Sequence, residues 1–190
     1  AGKVAGKVNE QIDRMDEIVR YQLRKPANLQ AKNFVLAHVP IAPEIERLVA
    51  GLSKVYHDKS PHIETVVDNE MEFRGDSGDF LEVAGNLLDN ACKWCDQRVR
   101  VAASYPDDGD GQGGLLLIVE DDGPGIPTNA ADALLQRGTR LDESTPGHGI
   151  GLAVVKEIAE SYGGQLEISR SELGGAKFCV RIPSSWPVSG

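Results

Sequence analysis

The segment from Glu82 to Lys93, EVAGNLLDNACK, places two asparagines among leucines and alanines that are typical of a helix. Asparagine is a poor helix former, because its side-chain amide competes for backbone hydrogen bonds. At about 100° per residue, four polar side chains fall within an arc of about 80° on the helix surface: Glu82, Asn86, Asn90 and Lys93. The helix is therefore predicted to present a polar ridge, formed by these four residues, on an otherwise apolar body.

This polar ridge has two interpretations. It can be a solvated helix face, although such faces more often carry Lys, Glu and Gln than the shorter Asn. It can also be a binding surface, because amide oxygens held close to the backbone, next to an ammonium, suit Mg²⁺ and a polyphosphate. Taken alone, this segment leaves both interpretations open.

A second segment, VEDDGPGI from Val119 to Ile126, is an apolar strand that runs into an acidic, glycine-containing turn. The simplest interpretation is a tight turn. The functional interpretation is that Gly123 and Gly125 let a flat ring approach the backbone, while Asp121 accepts a hydrogen bond from that ring. The turn is thus a candidate site for a heterocyclic base.

A third segment, GHGIGL from Gly147 to Leu152, leads into a helix. Gly147, Gly149 and Gly151 bring backbone N–H groups to a helix N-terminus, where an anion can bind. The spacing is neither the dinucleotide G-x-G-x-x-G pattern nor a Walker A sequence. Each of the three segments is weak evidence by itself, but together, in this order, they predict a nucleotide site.

The rest of the chain alternates short strands with helices. Strands are predicted at FVLAHV, HIETVVD, MEFRGD, RVRVAAS, GLLLIVE, QLEISR and AKFCVRIP, the last two forming a hairpin around LGG. Pro43 is expected to open one helix, Asp76 or Ser77 to cap the helix with the polar ridge, and a third helix to run from Gly151 to Tyr162. TNAADALLQ is a short helix and RGTRLDESTPGHG a loop. This order predicts an α+β fold, a two-layer sandwich with helices on one face of a mixed sheet.

Residues Lys3 to Lys25 are predicted to form a separate first helix, which ends before Pro26. Its apolar residues recur at steps of four, three and four: Val8, Ile12, Met15 and Val19. The helix can lie on its own domain, or it can be half of a helical hairpin that dimerises. We therefore divide the chain into residues 1–26 and a main domain of residues 27–190.

Composition limits the class of protein. The chain has 190 residues and a net charge of −9, which argues against a nucleic-acid partner. Three cysteines do not frame a disulfide fold, and Cys92 and Cys95 are better explained by packing than by zinc or redox chemistry. Reduced cysteines suit the cytosol. No apolar run reaches the ~20 residues of a membrane span, and no signal peptide is recognisable. Because the chain begins without Met, we expect a fragment of a larger protein.

The three segments resemble the boxes of the ATP-binding domain of sensor histidine kinases, the Bergerat or GHKL fold. Glu82, Asn86, Asn90 and Lys93 are similar to the N box. The turn with Asp121, Gly123 and Gly125 is similar to the G1 box, and Gly147, Gly149 and Gly151 to the G2 box. The resemblance extends from the first helix to about Ile182. It implies a mixed sheet backed by three helices, with a mobile lid over the nucleotide.

The resemblance also implies a role for each matching residue. Asn86 and Asn90 would face Mg²⁺ and the phosphates, Lys93 would meet phosphate oxygens, and Asp121 would accept a hydrogen bond from the adenine amino group. Arg137 and Arg140 of the lid would reach the terminal phosphates. Glu82 would orient a metal-bound water. The implied catalytic set is Glu82, Asn86, Lys93 and Arg137. The implied ATP contacts also include Ile126, Gly147, His148, Gly149, Ile150, Gly151 and Leu152.

The implied activity is that of a protein-histidine kinase that uses ATP and Mg²⁺. Its implied partners are a phosphoacceptor hairpin of the parent kinase and a response regulator. The implied parent is a homodimer in the bacterial inner membrane, and this chain is part of its cytoplasmic region. Alternatives are a GHKL ATPase in which Glu82 activates water, and a nonenzymatic nucleotide-binding module.

The chain departs from the family pattern in two places. Leu134 and Leu135 stand where the family usually has Phe, so we expect docking of the lid to be altered. In addition, no His is followed by an acidic residue and a Thr-Pro pair. The first helix resembles the second helix of the dimerisation hairpin, so the helix that bears the phosphoacceptor His is expected to lie outside this chain.

Overall fold

The computed structural model describes residues 37–107, 113–127 and 151–184, all within one compact unit. The predicted first helix, the short helix TNAADALLQ and the loop RGTRLDESTPGHG lie outside the described residues. Ten elements are defined within them: β1 (Ala37–Pro40), α1 (Ile41–Val55), β2 (His62–Val67), β3 (Glu72–Gly75), α2 (Ser77–Trp94), β4 (Arg98–Ser104), β5 (Leu115–Asp121), α3 (Gly151–Ser161), β6 (Gln165–Arg170) and β7 (Ala176–Ile182).

Five of the strands form a mixed sheet with the order β2-β4-β5-β7-β6. Strands β2 and β4 are parallel, and all other neighbours in this sheet are antiparallel. Strands β1 and β3 pair separately as an antiparallel ribbon. The sequence-based expectation of a mixed sheet is confirmed.

The three helices cover one face of the five-stranded sheet. Alternate residues of the central strands point into the core, including Val101, Leu117, Val119 and Val180, each fully buried. Helix α2 contributes the largest apolar face, which consists of Phe80, Val83, Ala84, Leu87, Leu88, Ala91 and Cys92. The opposite face of the sheet carries charged residues such as Arg100, whose Nε lies 2.9 Å from Glu64 Oε2. The fold is therefore a two-layer α+β sandwich, as expected.

Helix α1 begins two residues earlier than predicted, at Ile41, after Pro40 as the N-cap. Pro43 occupies the third helical position rather than the first. The first four N–H groups of a helix have no partner within the helix, so a proline is tolerated there as well. The Ile41 N–H is used outside the helix, where it donates to the Met71 carbonyl at 3.0 Å.

The start of α2 is tied to the end of α3. Asp76 is the N-cap, and its carboxylate accepts from the N–H groups of Gly78 and Asp79. The Tyr162 hydroxyl, just beyond α3, donates to Asp79 Oδ2 at 2.7 Å and accepts from the Asp76 N–H at 3.0 Å. Its ring packs against Phe73, with 5.4 Å between the centroids. This contact fixes the two helices that carry the predicted site.

Cys92 and Cys95 are buried in the apolar core, which supports the packing interpretation. Burial raises the pKa of Cys92 to about 12, and burial also raises the pKa of Cys95. Both thiols therefore stay protonated near neutral pH, and protonated thiols are poor nucleophiles and poor metal ligands. Among the described helices, none combines the length and the apolar character that a membrane crossing requires.

Candidate nucleotide site

The polar ridge on α2 lies at the edge of the core. Its four side chains are partly exposed, whereas Leu87 and Leu88 beside them are fully buried. The Asn86 Nδ2 group donates to the Glu82 carbonyl at 2.7 Å, one turn earlier. This bond uses the donor end of the amide, so Asn86 Oδ1 is presented as an acceptor away from the helix axis.

The N-terminus of α3 meets this ridge. Gly151 is the first residue of α3, and a Cβ atom at this position would lie 2.5 Å from Asn86 Oδ1. Any larger residue would push the amide aside, so the glycine allows the helix N-terminus to approach Asn86. The last glycine of the predicted G2 segment is thus brought to the N-box ridge, and Leu152 follows it. Gly147, His148, Gly149, Ile150, Arg137 and Arg140 lie outside the described residues.

Asp121 ends β5 and is only 2% exposed. Its Oδ1 atom accepts from the Gly123 N–H at 2.9 Å and from the Ala176 N–H at 3.1 Å. Among the described residues, none donates a hydrogen bond to Oδ2. Burial raises the pKa of Asp121, and the two backbone hydrogen bonds act against that rise. One carboxylate oxygen is therefore anchored, and the other remains as an acceptor for a ligand.

Three glycines allow the backbone to close around Asp121. A Cβ at Gly123 would overlap the Trp94 carbonyl, and a Cβ at Gly175 would overlap Asp121 Oδ1. Gly125 has a φ of +76°, which favours glycine. The acidic turn therefore fits between the end of α2 and the β6–β7 turn. Ile126 follows this turn and packs against the core.

Two residues of this region were missed by the sequence analysis. Gly175 was assigned only to the LGG hairpin, because the contact with Asp121 links positions far apart in the chain. Trp94 was not singled out, although it follows Lys93 at the end of the ridge. Its half-buried ring lies 5.2 Å from Lys93 Nζ. The Trp94 backbone carbonyl borders the turn after Asp121, at Gly123, and its partly exposed aromatic ring is a candidate surface for stacking a base.

Asp122, next to Asp121, has a structural function. Its Oδ1 atom accepts from the N–H groups of Asp96, Gln97 and Arg98 at 2.9 to 3.0 Å, and its Oδ2 lies 3.4 Å from Arg98 Nε. Burial would raise the pKa of Asp122, but these hydrogen bonds hold it below its ordinary value. Asp122 thereby fixes the connection from α2 to β4, and Asp121 alone remains for a ligand.

We expect Asp122→Ala to lower the free energy of unfolding by about 2 kcal/mol, because three backbone N–H groups lose a charged acceptor. The pKa of Asp122 is lower in the folded chain than in the unfolded one. Its stabilisation is therefore present above the ordinary pKa of Asp and is lost as the pH falls through the lowered value. Urea unfolding of both proteins at several pH values should show the difference shrinking in acid. A constant difference would contradict this assignment.

The groups present fit a magnesium nucleotide. Among the described residues, no cluster of three or more His, Cys, Asp and Glu side chains could hold a metal ion. The amide oxygens of Asn86 and Asn90 on the polar ridge could supply protein ligands to a divalent ion, with water and phosphate as its other ligands. Mg²⁺ commonly keeps several waters and binds through few protein groups and substrate phosphates.

Comparison with known families identifies one match. Residues 75–185 match the family described as histidine kinase-, DNA gyrase B- and HSP90-like ATPase. This range begins just before α2 and contains the ridge, the acidic turn and the glycine run. It therefore covers every residue that the sequence analysis assigned to the site.

Individual relatives agree with this match. The virulence sensor histidine kinase PhoQ of Salmonella typhimurium is 42% identical over 173 residues, which is 90% of this chain and 34% of that protein. The chain thus spans about a third of the length of its relative. From the sequence we expect the likeness to PhoQ in four segments: GNLLDNACKWC, VEDDGPGIP, LSKVYHDK and RGTRLDESTPGHGIGLAV.

Two solved structures are also similar. The mycobacterial sensor histidine kinase MprB has a TM-score of 0.67 at 29% identity, with 78% of this chain and 97% of that one covered. Full-length ShkA, solved in complex with AMPPNP, has a TM-score of 0.65 at 25% identity, with 85% of this chain and 35% of that one covered.

Proposed function

Because the chain belongs to the family of histidine kinase-, DNA gyrase B- and HSP90-like ATPases, we propose that it is the catalytic ATP-binding domain of a PhoQ-like sensor histidine kinase. In this proposal it binds Mg·ATP and transfers the γ-phosphoryl group to a histidine on a helical hairpin of the parent kinase. The AMPPNP complex of ShkA supports the choice of nucleotide.

The observation that carries the proposal is the asymmetric setting of Asp121. Oδ1 is held by two backbone N–H groups, so Oδ2 is oriented and available. An ionised carboxylate can only accept hydrogen bonds. The adenine amino group is a donor, whereas guanine has a carbonyl at the same position. The site therefore favours adenine, and Gly123 and Gly125 allow the ring to come close.

The phosphates would extend from this turn along α2. Lys93 and Asn90 come first, followed by Asn86 and the N-terminus of α3, where backbone N–H groups and the helix dipole favour an anion. Bound Mg²⁺ would neutralise phosphate charge. Arg137 and Arg140 would contact the terminal phosphates, and Glu82 would orient a water of the metal ion. Catalysis would consist mainly of positioning and charge neutralisation.

The remaining parts of the proposal concern the parent protein. Residues 1–26 would be the remnant of the second hairpin helix, and residues 27–190 the catalytic domain. The parent would be a homodimer in the bacterial inner membrane, with this domain in the cytoplasm, and it would pass the phosphoryl group to a response regulator. Similarity to the sensor histidine kinase PhoQ supports a sensor kinase as the parent.

We expect Asn90→Ala to weaken ATP binding at least about tenfold in the presence of Mg²⁺, equivalent to about 1.4 kcal/mol, and by less than about twofold in EDTA. The amide oxygen matters only when a metal ion is present. The helix should remain intact, because alanine is the better helix former. Calorimetric titration with ATP under both conditions tests this. A loss that is equal with and without Mg²⁺ would contradict a metal-linked role, and an absence of ATP binding by the unmodified chain would contradict the proposed function.

A further inference from the structure

The last turn of α2 is held by a lysine from another part of the chain. Lys59, in the turn that follows α1, donates from Nζ to the carbonyls of Cys92 and Lys93 at 3.0 and 2.9 Å. The final carbonyls of a helix have no partner within it, and a cation is favourable at this end of the helix dipole. Lys59 therefore acts as a C-terminal cap supplied from 33 and 34 residues away.

A second contact comes from the same segment. The Tyr56 hydroxyl donates to Asp89 Oδ1 at 2.8 Å, about one turn before the carbonyls that Lys59 caps. Tyr56 also packs against the core. The end of α1 thus holds α2 at two points, and the residues between them include Asn90 of the polar ridge. The Tyr56 hydroxyl also lies 3.5 Å from the Asp89 carbonyl, whereas Lys59 bonds to carbonyls of the last turn of the helix.

The capped turn is in contact with the acidic turn that carries Asp121. A Cβ at Gly123 would overlap the Trp94 carbonyl, so the two backbone segments are in direct contact. A shift of the last turn of α2 would therefore displace Lys93 and Trp94 and also Gly123. Burial raises the pKa of Asp121, and the charge of Lys59 is near enough to act against that rise.

We propose that Lys59 is a positioning residue of the nucleotide site: it fixes the last turn of α2 and, through that turn, the places of Lys93, Trp94 and Gly123, without touching the nucleotide. This inference rests on the proposed ATP-binding function. It assigns a role to a lysine that lies outside the N, G1 and G2 segments, in the turn between α1 and β2.

The test compares Lys59→Met, Lys59→Arg and Lys54→Met with the unmodified chain. Lys54 is the matched control, because it is an exposed lysine in the last turn of α1 whose ammonium makes no hydrogen bond or ion pair with the described residues. We expect Lys59→Met to weaken ATP binding about fivefold, the scale of one or two lost hydrogen bonds. Lys59→Arg should recover affinity to within about twofold, and Lys54→Met should leave it unchanged.

ADP distinguishes positioning from direct phosphate contact. If Lys59 acts through α2, the fold loss should be the same for ATP and ADP, whereas a lysine that binds the γ-phosphate would lose more with ATP. A spectroscopic readout uses the two tryptophans of the chain, Trp94 and Trp186. In a Trp186→Phe background, Lys59→Met should change the emission of Trp94 before nucleotide is added. If Lys59→Met does not fold, Lys59→Gln gives the same comparisons.

Three outcomes would overturn the inference: unchanged ATP affinity in Lys59→Met despite lower stability, failure of Lys59→Arg to recover affinity, or a loss confined to ATP. Failure of the proposed function is separate, because it would appear as an absence of ATP binding in the unmodified chain and in Lys54→Met alike.

Discussion

Asp121→Asn is expected to lower the affinity for ATP about 100-fold, equivalent to about 2.7 kcal/mol, while the affinity for GTP stays the same or rises. The reason is the anchoring of Oδ1 by the N–H groups of Gly123 and Ala176. In the variant, these two N–H groups can bond only to the oxygen of the new side-chain amide, because its nitrogen is itself a donor. The amide nitrogen must then occupy the position of Oδ2, where it places its own donors against the adenine amino group.

The same rotamer presents a donor to the carbonyl of guanine. The substitution is therefore expected to reduce discrimination between the two bases and not merely to weaken binding. Calorimetric titration of both proteins with ATP and with GTP measures this, and the unmodified chain should prefer ATP. An equal loss of affinity for both nucleotides would indicate general damage to the site.

Asp122→Asn is the matched control for this experiment. It makes the same chemical change at the neighbouring residue, but the amide oxygen can still accept from the N–H groups of Asp96, Gln97 and Arg98. Among the described residues, the second oxygen of Asp122 contacts Arg98, whose side chain is largely exposed, so this ion pair contributes little. We therefore expect the ATP affinity of Asp122→Asn to lie within about twofold of that of the unmodified chain. A twofold change corresponds to less than half of about 1.4 kcal/mol, the free energy of a tenfold change.

The local structure on which the candidate site is built could be predicted from the spacing of residues in the sequence. The polar ridge follows from the helical repeat of Glu82, Asn86, Asn90 and Lys93. The acidic turn follows from an apolar strand that ends in Asp121 and two glycines. The N-cap at Asp76 and the hairpin of β6 and β7 also follow from neighbouring residues. In each case the signal and the structure that it determines lie within one element or one turn.

The rest depends on contacts between residues that are distant in the chain. The Tyr162 hydroxyl meets Asp79 across 83 positions, and the Ala176 N–H meets Asp121 across 55. The contacts that Gly175 makes with Asp121, and Lys59 with the end of α2, also join residues that are distant in the chain. No periodicity or composition specifies such pairs, because they are fixed only when the helices pack on the sheet. The two adjacent acids, Asp121 and Asp122, likewise differ only in what surrounds them.

The largest expected effect is on the amount of stable label transferred from ATP, compared between the chain alone and the chain with an added acceptor hairpin. With Mg²⁺ and radiolabelled ATP, the chain alone should bind nucleotide but acquire no stable label. A separately prepared helical hairpin that carries a histidine, an acidic residue and a Thr-Pro pair should become labelled in its presence, and the label should be lost in acid.

The settings of the histidines support the first half of this prediction. In-line transfer requires a nucleophile held about 3 Å from the phosphorus. His38 Nδ1 lies 2.9 Å from Glu72 Oε2, and the ring nitrogens of His57 lie 3.2 Å from the Lys54 carbonyl and 3.0 Å from Asp58 Oδ1. His62 begins β2, two strands from Asp121 and hence at the base end of the site. In the sequence, His148 lies between Gly147 and Gly149, without the acidic residue that follows a phosphoacceptor histidine.

Quantifying labelled hairpin and released phosphate separates the candidate activities. A histidine kinase transfers label to the hairpin with little release, whereas an ATPase releases phosphate whether or not the hairpin is present. A nonenzymatic module does neither, although it binds ATP. Stable label on the chain alone, mapped to any of its four histidines, would show that it contains its own acceptor and would contradict the assignment of the acceptor to a missing helix.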